Sequence, residues 1–360
     1  MTALPRHPPL APHWIDRPHQ ALHWDEFALE SGASIQNAEL TYVVHGELNA
    51  RRDNLVIALP AVGSTHHRLD FLIGPGRALN PEHHCVVCFD AWGNGLASSP
   101  SNSLHQPGWQ FPRFTIRDMV NAQCALLDEW QVPQAACVIG ASMGGMQALQ
   151  WAVSHPTRTQ RVVAMTPMAR TTPWARSVNE VSRLILQVGP NQVAPSDPQR
   201  WRAWSGLMQC LIGQTPQAFD SQFDTGEDAI DFLQQKAQAQ LHSHSDPIDW
   251  WYQSHAYDLH DLGTTPGVTG GTDNALAGIT AACLILGPDL DLYNPASAWR
   301  HIAKRIPGAL GVEIPSMLGH QSASGVSAAD SEFLNRTILA WLHRQRGHRD
   351  QAVLENTNSR

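Results

Sequence analysis

Seven short strand-like runs punctuate the chain, at 40–44, 55–58, 85–89, 135–139, 161–165, 282–286 and 310–314. Most are continuously apolar and partly β-branched, as expected of strands buried on both faces of a parallel sheet. Helical patterns fall between several of them, notably at 116–129, 143–154 and 328–343. Strands alternating with helices predict an α/β protein with a mostly parallel sheet flanked by helices. The alternation fails between about 169 and 274, where Trp174, Trp201, Trp204, Trp250 and Trp251 lie among polar and helix-forming residues. We read that stretch as an inserted helical lid over a pocket. The expected organisation is a core in two parts, 25–168 and 275–346, a lid at 169–274, and irregular termini at 1–24 and 347–360. There is no internal repeat.

Composition narrows the classes. A formal charge of −8 and a pI near 6.1 argue against nucleic acid or an anionic membrane as the main partner. No apolar run approaches the roughly 18 residues of a membrane span, and the Pro- and His-rich start lacks the apolar stretch of a signal peptide. The expected location is therefore the cytoplasm. Six scattered cysteines form no disulfide framework. Cys85 and Cys88 match C-x-x-C, but on a strand residues three apart point to opposite faces, so both read as core thiols. The histidines at 66–67, 83–84, 242 and 244 lack the helical i, i+4 spacing beside a carboxylate that a zinc hydrolase needs. They read as solvated or locally hydrogen-bonded, and no metal or cofactor is expected.

The chemistry centres on Gly140-Ala141-Ser142-Met143-Gly144. A buried strand precedes this G-x-S-x-G and a helix follows, which is the context of a nucleophile elbow. Ser142 is the expected nucleophile, and a serine needs a base and a group to orient that base. Among the late histidines, His320 follows the strand at 310–314, in the loop where such a sheet presents side chains to its crevice. The acid is expected after the strand at 282–286, where Asp289 and Asp291 are both candidates by position. The oxyanion needs two backbone donors. Met143 is one, and Ala61 or Val62 the other, because Pro60 has no N–H. We assign Ala61.

These residues resemble the homoserine O-acetyltransferase family, a branch of the α/β-hydrolase fold. The resemblance rests on the run at 140–152, on 72–79, on Asn179-Glu180-Val181 with Arg183, on Asp291-Leu292-Tyr293-Asn294-Pro295, and on Gly319-His320. It implies a Ser142–Asp291–His320 triad, favouring Asp291 over Asp289, an acyl-enzyme, a helical lid and often a homodimer. Two departures bear on the substrate. Gln321 stands where the family carries an aspartate for the substrate ammonium. The stretch at 203–213 also lacks the arginine that holds the substrate carboxylate. The loop at 59–63, Leu-Pro-Ala-Val-Gly, is altered as well. With both anchors missing, the sequence favours hydrolysis of small short-acyl carboxylic esters over acetyl-CoA-dependent transfer to homoserine or a related alcohol. A catalytically dead binding fold ranks third. The acyl group and alcohol are not legible, and neither are the substrate-binding residues.

Overall fold

A computed structural model describes residues 7–189, 191–193, 197–241 and 246–357. The strands are β1 (Gln20–Ala28), β2 (Ser34–His45), β3 (Leu55–Leu59), β4 (Cys85–Phe89), β5 (Cys137–Ala141), β6 (Arg161–Met165), β7 (Gln187–Gly189), β8 (Gln192–Val193), β9 (Ala282–Pro288) and β10 (Leu310–Ile314). The helices are α1 (Ile116–Glu129), α2 (Met143–Ser154), α3 (Pro173–Leu186), α4 (Pro198–Met208), α5 (Pro216–Gln222), α6 (Gly226–Leu241), α7 (Pro247–Asp258), α8 (Thr272–Ala277), α9 (Ala296–Arg305) and α10 (Ala328–Thr357). Eight strands form one sheet in the order β1-β2-β4-β3-β5-β6-β9-β10. The β1–β2 and β2–β4 pairs are antiparallel and every other pair is parallel.

The pleat divides the core between the two faces of this sheet. Leu55, Ile57 and Leu59 of β3 pack with α1, α2 and α9, whereas Val56 and Ala58 face α10 and the 3₁₀ turn His66–Leu72. Cys85 and Cys88 fall on opposite faces, both buried and unbridged, as the strand geometry required. Burial pushes the Cys85 thiol up to about 11.

Three expectations need correction. Residues 20–24 are not irregular: they open β1, an edge strand in which only Leu22 is fully buried, so its apolar pattern is thin. Paired along its length with β2, it extends the sheet by one antiparallel strand. At the other end, α10 continues past 347 to Thr357, through a run of Arg, Gln, Ala, Leu and Glu with no proline to stop it. The segment between β6 and β9 is mainly helical, but it also contains the small β7–β8 hairpin. No helix among the described residues is long and apolar enough to cross a membrane.

Helix α7 is tied to the body of the protein by Asp249, which accepts from the Ser101 N–H at 3.0 Å and the Ser101 hydroxyl at 2.5 Å. Burial raises the Asp249 carboxyl to about 7. Between roughly pH 4 and 7 the folded chain therefore keeps a proton that the unfolded chain has lost. Stability from this group is present at low pH and falls as pH rises towards 7. Asp249→Asn is expected to unfold at higher temperature than the parent at pH 8, with a gain of up to about 4 kcal/mol. The difference should close below about pH 4. An equal offset at both pH values in thermal unfolding would refute the assignment.

Candidate active site

The turn from β5 into α2 holds Ser142 at φ 56° and ψ −121°, a region that a side-chain-bearing residue enters only when its surroundings enforce it. The enforcement comes from close packing. A Cβ on Gly140 would fall on the Gly144 backbone, and one on Gly144 would strike the Leu59 carbonyl. Glycine at both positions lets α2 start hard against β3 and β5. The Ser142 N–H donates to the Met165 carbonyl at 2.9 Å, which fixes the turn to β6.

His320 lies in the turn after β10, and its Nε2 is 2.8 Å from Ser142 Oγ. Its Nδ1 is 2.8 Å from Asp291 Oδ2. The carboxylate can only accept, so Nδ1 carries the hydrogen and Nε2 offers its lone pair to the serine hydroxyl. All three side chains are buried. The other Asp291 oxygen accepts the N–H groups of Tyr293 and Asn294, each at 2.8 Å. Asp289 instead lies on the surface, paired with Arg300 at 2.6 Å. The structure thus brings Ser142, His320 and Asp291 together and leaves Asp289 outside.

Tyr293 packs edge-on against His320 with ring centroids 5.1 Å apart. Its hydroxyl donates to Asn179, whose amide reaches Asp258, and Asp258 is paired with Arg183 at 2.6 Å. The α3 residues Asn179 and Arg183 therefore brace the ring that backs the imidazole.

Above Ser142 is a cavity of about 160 Å³. Ser142, His320, Tyr293, Ala61, Val62, Ser64, Arg68 and Gln321 line it below, and Trp204, Met208, Gln209, Ile212, Gly213 and Trp250 close it above. The stretch at 203–213 does face the site and brings no arginine. The Gly63 N–H is given to Gln253 at 2.7 Å. Ala61 and Val62 face the cavity, and the Met143 N–H, first in α2, has no intrahelical acceptor.

Sequence reasoning missed Arg68. It lies in the 3₁₀ turn after β3, and burial pulls its guanidinium down to about 10. No carboxylate among the described residues pairs with it, and its Nε is buried without an acceptor. Trp204 Nε1, on the opposite wall, is a second buried donor without a partner. The position of Arg68 a few residues after the loop that holds Ala61 did not single it out in the sequence. Its arrival in the cavity depends on the 3₁₀ turn. Other arginines of the inserted segment do not take this place: Arg183 is committed to Asp258 and Glu180, and Arg170 and Arg176 are exposed and outside the lining.

The histidine pair at 66–67 is not solvated. Both rings are buried, His66 on Asp90 and His67 on Asp70. His84 is also buried and His83 is exposed, whereas His242 and His244 lie outside the described residues.

Comparison with known proteins matches residues 69–317 to the α/β hydrolase fold family. Homoserine O-acetyltransferase of Thermus thermophilus is 31% identical over 330 residues, covering 82% of this chain and 84% of that one. The chain belongs to the homoserine O-acetyltransferase-like family of α/β-hydrolase-fold enzymes. Among solved structures, the acetyl esterase MekB superposes with a TM-score of 0.83 at 24% identity, covering 91% of this chain and 97% of that one. Homoserine O-acetyltransferase from Bacillus anthracis gives 0.77 at 19% identity, covering 90% and 97%. At those identities the superpositions speak for a shared fold. Membership makes this an acyl-transfer enzyme, and it places the Ser142 elbow on a scaffold common to transferases and esterases.

Proposed function

We propose that this chain is a serine-nucleophile O-acyltransferase that passes a small acyl group from a thioester to the hydroxyl of an acceptor bearing a carboxylate. The observation that carries the proposal is Arg68, a cation without a carboxylate partner among the described residues, in the same cavity as Ser142 and His320. An uncharged ester has no use for a half-buried guanidinium, whereas a carboxylate pairs with it in a charge-assisted contact. The ionic anchor missing from 203–213 is thus supplied from the other wall. The curated relatives, named as homoserine O-acetyltransferases, point the same way.

In this mechanism His320 Nε2 takes the proton of Ser142 Oγ as that oxygen attacks the thioester carbonyl. The tetrahedral oxyanion is held by the N–H of Met143 and that of Ala61 or Val62. Collapse expels the thiol, protonated by the imidazolium, and leaves the acyl group on Ser142. The acceptor hydroxyl then gives its proton to His320, attacks the acyl carbonyl and leaves as the ester. Asp291 holds the imidazole tautomer throughout and stabilises its positive charge.

The substrate end of the cavity has donors but, among the described residues, no facing carboxylate, and Gln321 occupies the position next to His320. Such a site favours a hydroxy acid over its amino-acid analogue. A second reading has water as the acceptor, giving hydrolysis of small acetate esters, and the missing ammonium anchor favours it. The test is to form the acyl-enzyme from acetyl-CoA or p-nitrophenyl acetate and follow its partition among water, homoserine and 4-hydroxybutanoate. Arg68→Ala should raise KM for the carboxylate acceptor about 10- to 100-fold, the equivalent of one charge-assisted contact. Acylation by p-nitrophenyl acetate should be little affected. Partition to water alone, unaltered by Arg68→Ala, would establish the esterase instead.

A further inference from the structure

Four imidazoles converge beside the turn that carries Arg68. His66 and His67 open the 3₁₀ turn after β3, and His7 and His19 come from the segment preceding β1. The ring centroids of His66 and His67 are 4.2 Å apart. His7 lies 5.2 Å from His66, 5.0 Å from His67 and 5.1 Å from His19, and His19 lies 4.8 Å from His66.

Hydrogen bonds assign most of the tautomers. The Asp90 carboxylate lies 3.1 and 3.2 Å from His66 Nδ1, so that nitrogen carries the hydrogen and Nε2 is a lone pair. The His66 Nε2 is buried and has no hydrogen-bond partner among the described residues. The same logic applies to His67, whose Nδ1 is 2.7 Å from Asp70 Oδ2. His7 Nδ1 donates to the Pro8 carbonyl at 2.6 Å, which leaves its Nε2 a lone pair as well. Yet the Nε2 atoms of His7 and His67 stand 3.0 Å apart. Two lone pairs at that distance repel unless a proton or a metal ion satisfies them.

We infer that His7, His19 and His66 form a binding site for a divalent transition metal, zinc by the chemistry of the set, with His67 beside it. One ligand nitrogen from each of the three lies within 4.8 Å of the others. Ligands on a tetrahedral zinc with bonds near 2.0–2.1 Å are about 3.3 Å apart, so small ring movements complete the site. A carboxylate behind the far nitrogen of His66, and another behind that of His67, is the support that orients and strengthens zinc-bound imidazoles. An all-imidazole set suits zinc, copper or nickel and disfavours magnesium or calcium. His19 is exposed and offers the ion a way in. A bound ion would clamp the N-terminal segment onto the turn that carries Arg68.

The experiment uses the full chain without an affinity tag, stripped with a chelator and titrated calorimetrically with Zn²⁺. We expect one ion per chain with Kd below about 1 µM, a rise in the unfolding temperature on zinc addition, and tetrahedral ligand-field bands with Co²⁺. The double variant His7→Ala/His19→Ala alters only groups outside the sheet core and should lose at least about 100-fold in affinity, together with the thermal response. His343→Ala, an exposed histidine far along α10, is the control and should bind as the parent does. Absence of stoichiometric binding would mean that a shared proton bridges His7 and His67, and the site is refuted. Unweakened binding by the double variant would refute it equally, by locating the ion elsewhere. These outcomes are independent of whether Ser142 passes its acyl group to an acceptor or to water.

Discussion

Replacing Ser142 with alanine is expected to lower acyl transfer by at least about 10⁴-fold while the chain remains folded. The Ser142 hydroxyl points to the His320 imidazole at the wall of the cavity, so its loss leaves the packing of β5 and α2 unchanged. The backbone adds a second expectation. Alanine inherits the strained φ of 56°, whereas glycine enters that region freely. Ser142→Gly should therefore be as inactive as the alanine variant and yet unfold at a higher temperature. Single-turnover acylation with p-nitrophenyl acetate and thermal unfolding of the three proteins check both parts. Turnover retained in a folded alanine variant would remove Ser142 from the mechanism.

The second large effect separates two aspartates that are two residues apart. Asp291→Asn should cost about 10³–10⁴-fold in kcat, and Asp289→Asn less than about threefold. Asparagine can keep its carbonyl oxygen on the Tyr293 and Asn294 N–H groups and turn its amide towards His320. The loop would then stand, but an N–H would face Nδ1 and force the imidazole hydrogen onto Nε2. In that tautomer His320 cannot accept the serine proton. Asp289 contributes only an exposed pair with Arg300, the kind of contact worth little in water. Equal, small losses in both variants would point to a different acid.

The central strands were legible because each is buried on both faces and reads as an unbroken apolar run, and the boundaries of α1 and α2 follow from the periodicity. In α1 a reciprocal capping box between Thr115 and Asp118 reinforces the start. Strand β1 was not legible, since an edge strand with one fully buried side chain has no pattern to distinguish it from a loop. At the site, the order of serine, aspartate and histidine was readable along the chain. The choice between Asp289 and Asp291 was not, because both lie after the same strand and only the turn at 291–294 decides which one reaches the imidazole. Arg68 was invisible for a related reason. Its role depends on where a 3₁₀ turn aims one side chain, and no spacing in the chain encodes that direction. The histidines at 66–67 looked unremarkable in sequence because their partners are distant or oriented by the fold, Asp90 across β4 and His7 and His19 from the N-terminal segment.

The distribution of thiols gives the chain a built-in reporter. Five of the six cysteines are buried, and Cys210 alone is exposed, in the turn whose neighbours Gln209 and Ile212 close the top of the cavity. A maleimide dye should therefore attach at a single position without any engineering of the sequence. Partial burial raises the Cys210 thiol, so coupling should quicken as the buffer is made more alkaline. Trp204 and Trp250 lie in the same wall and can quench such a dye through contact. Fluorescence from the labelled native protein would then follow opening and closing of that wall during turnover.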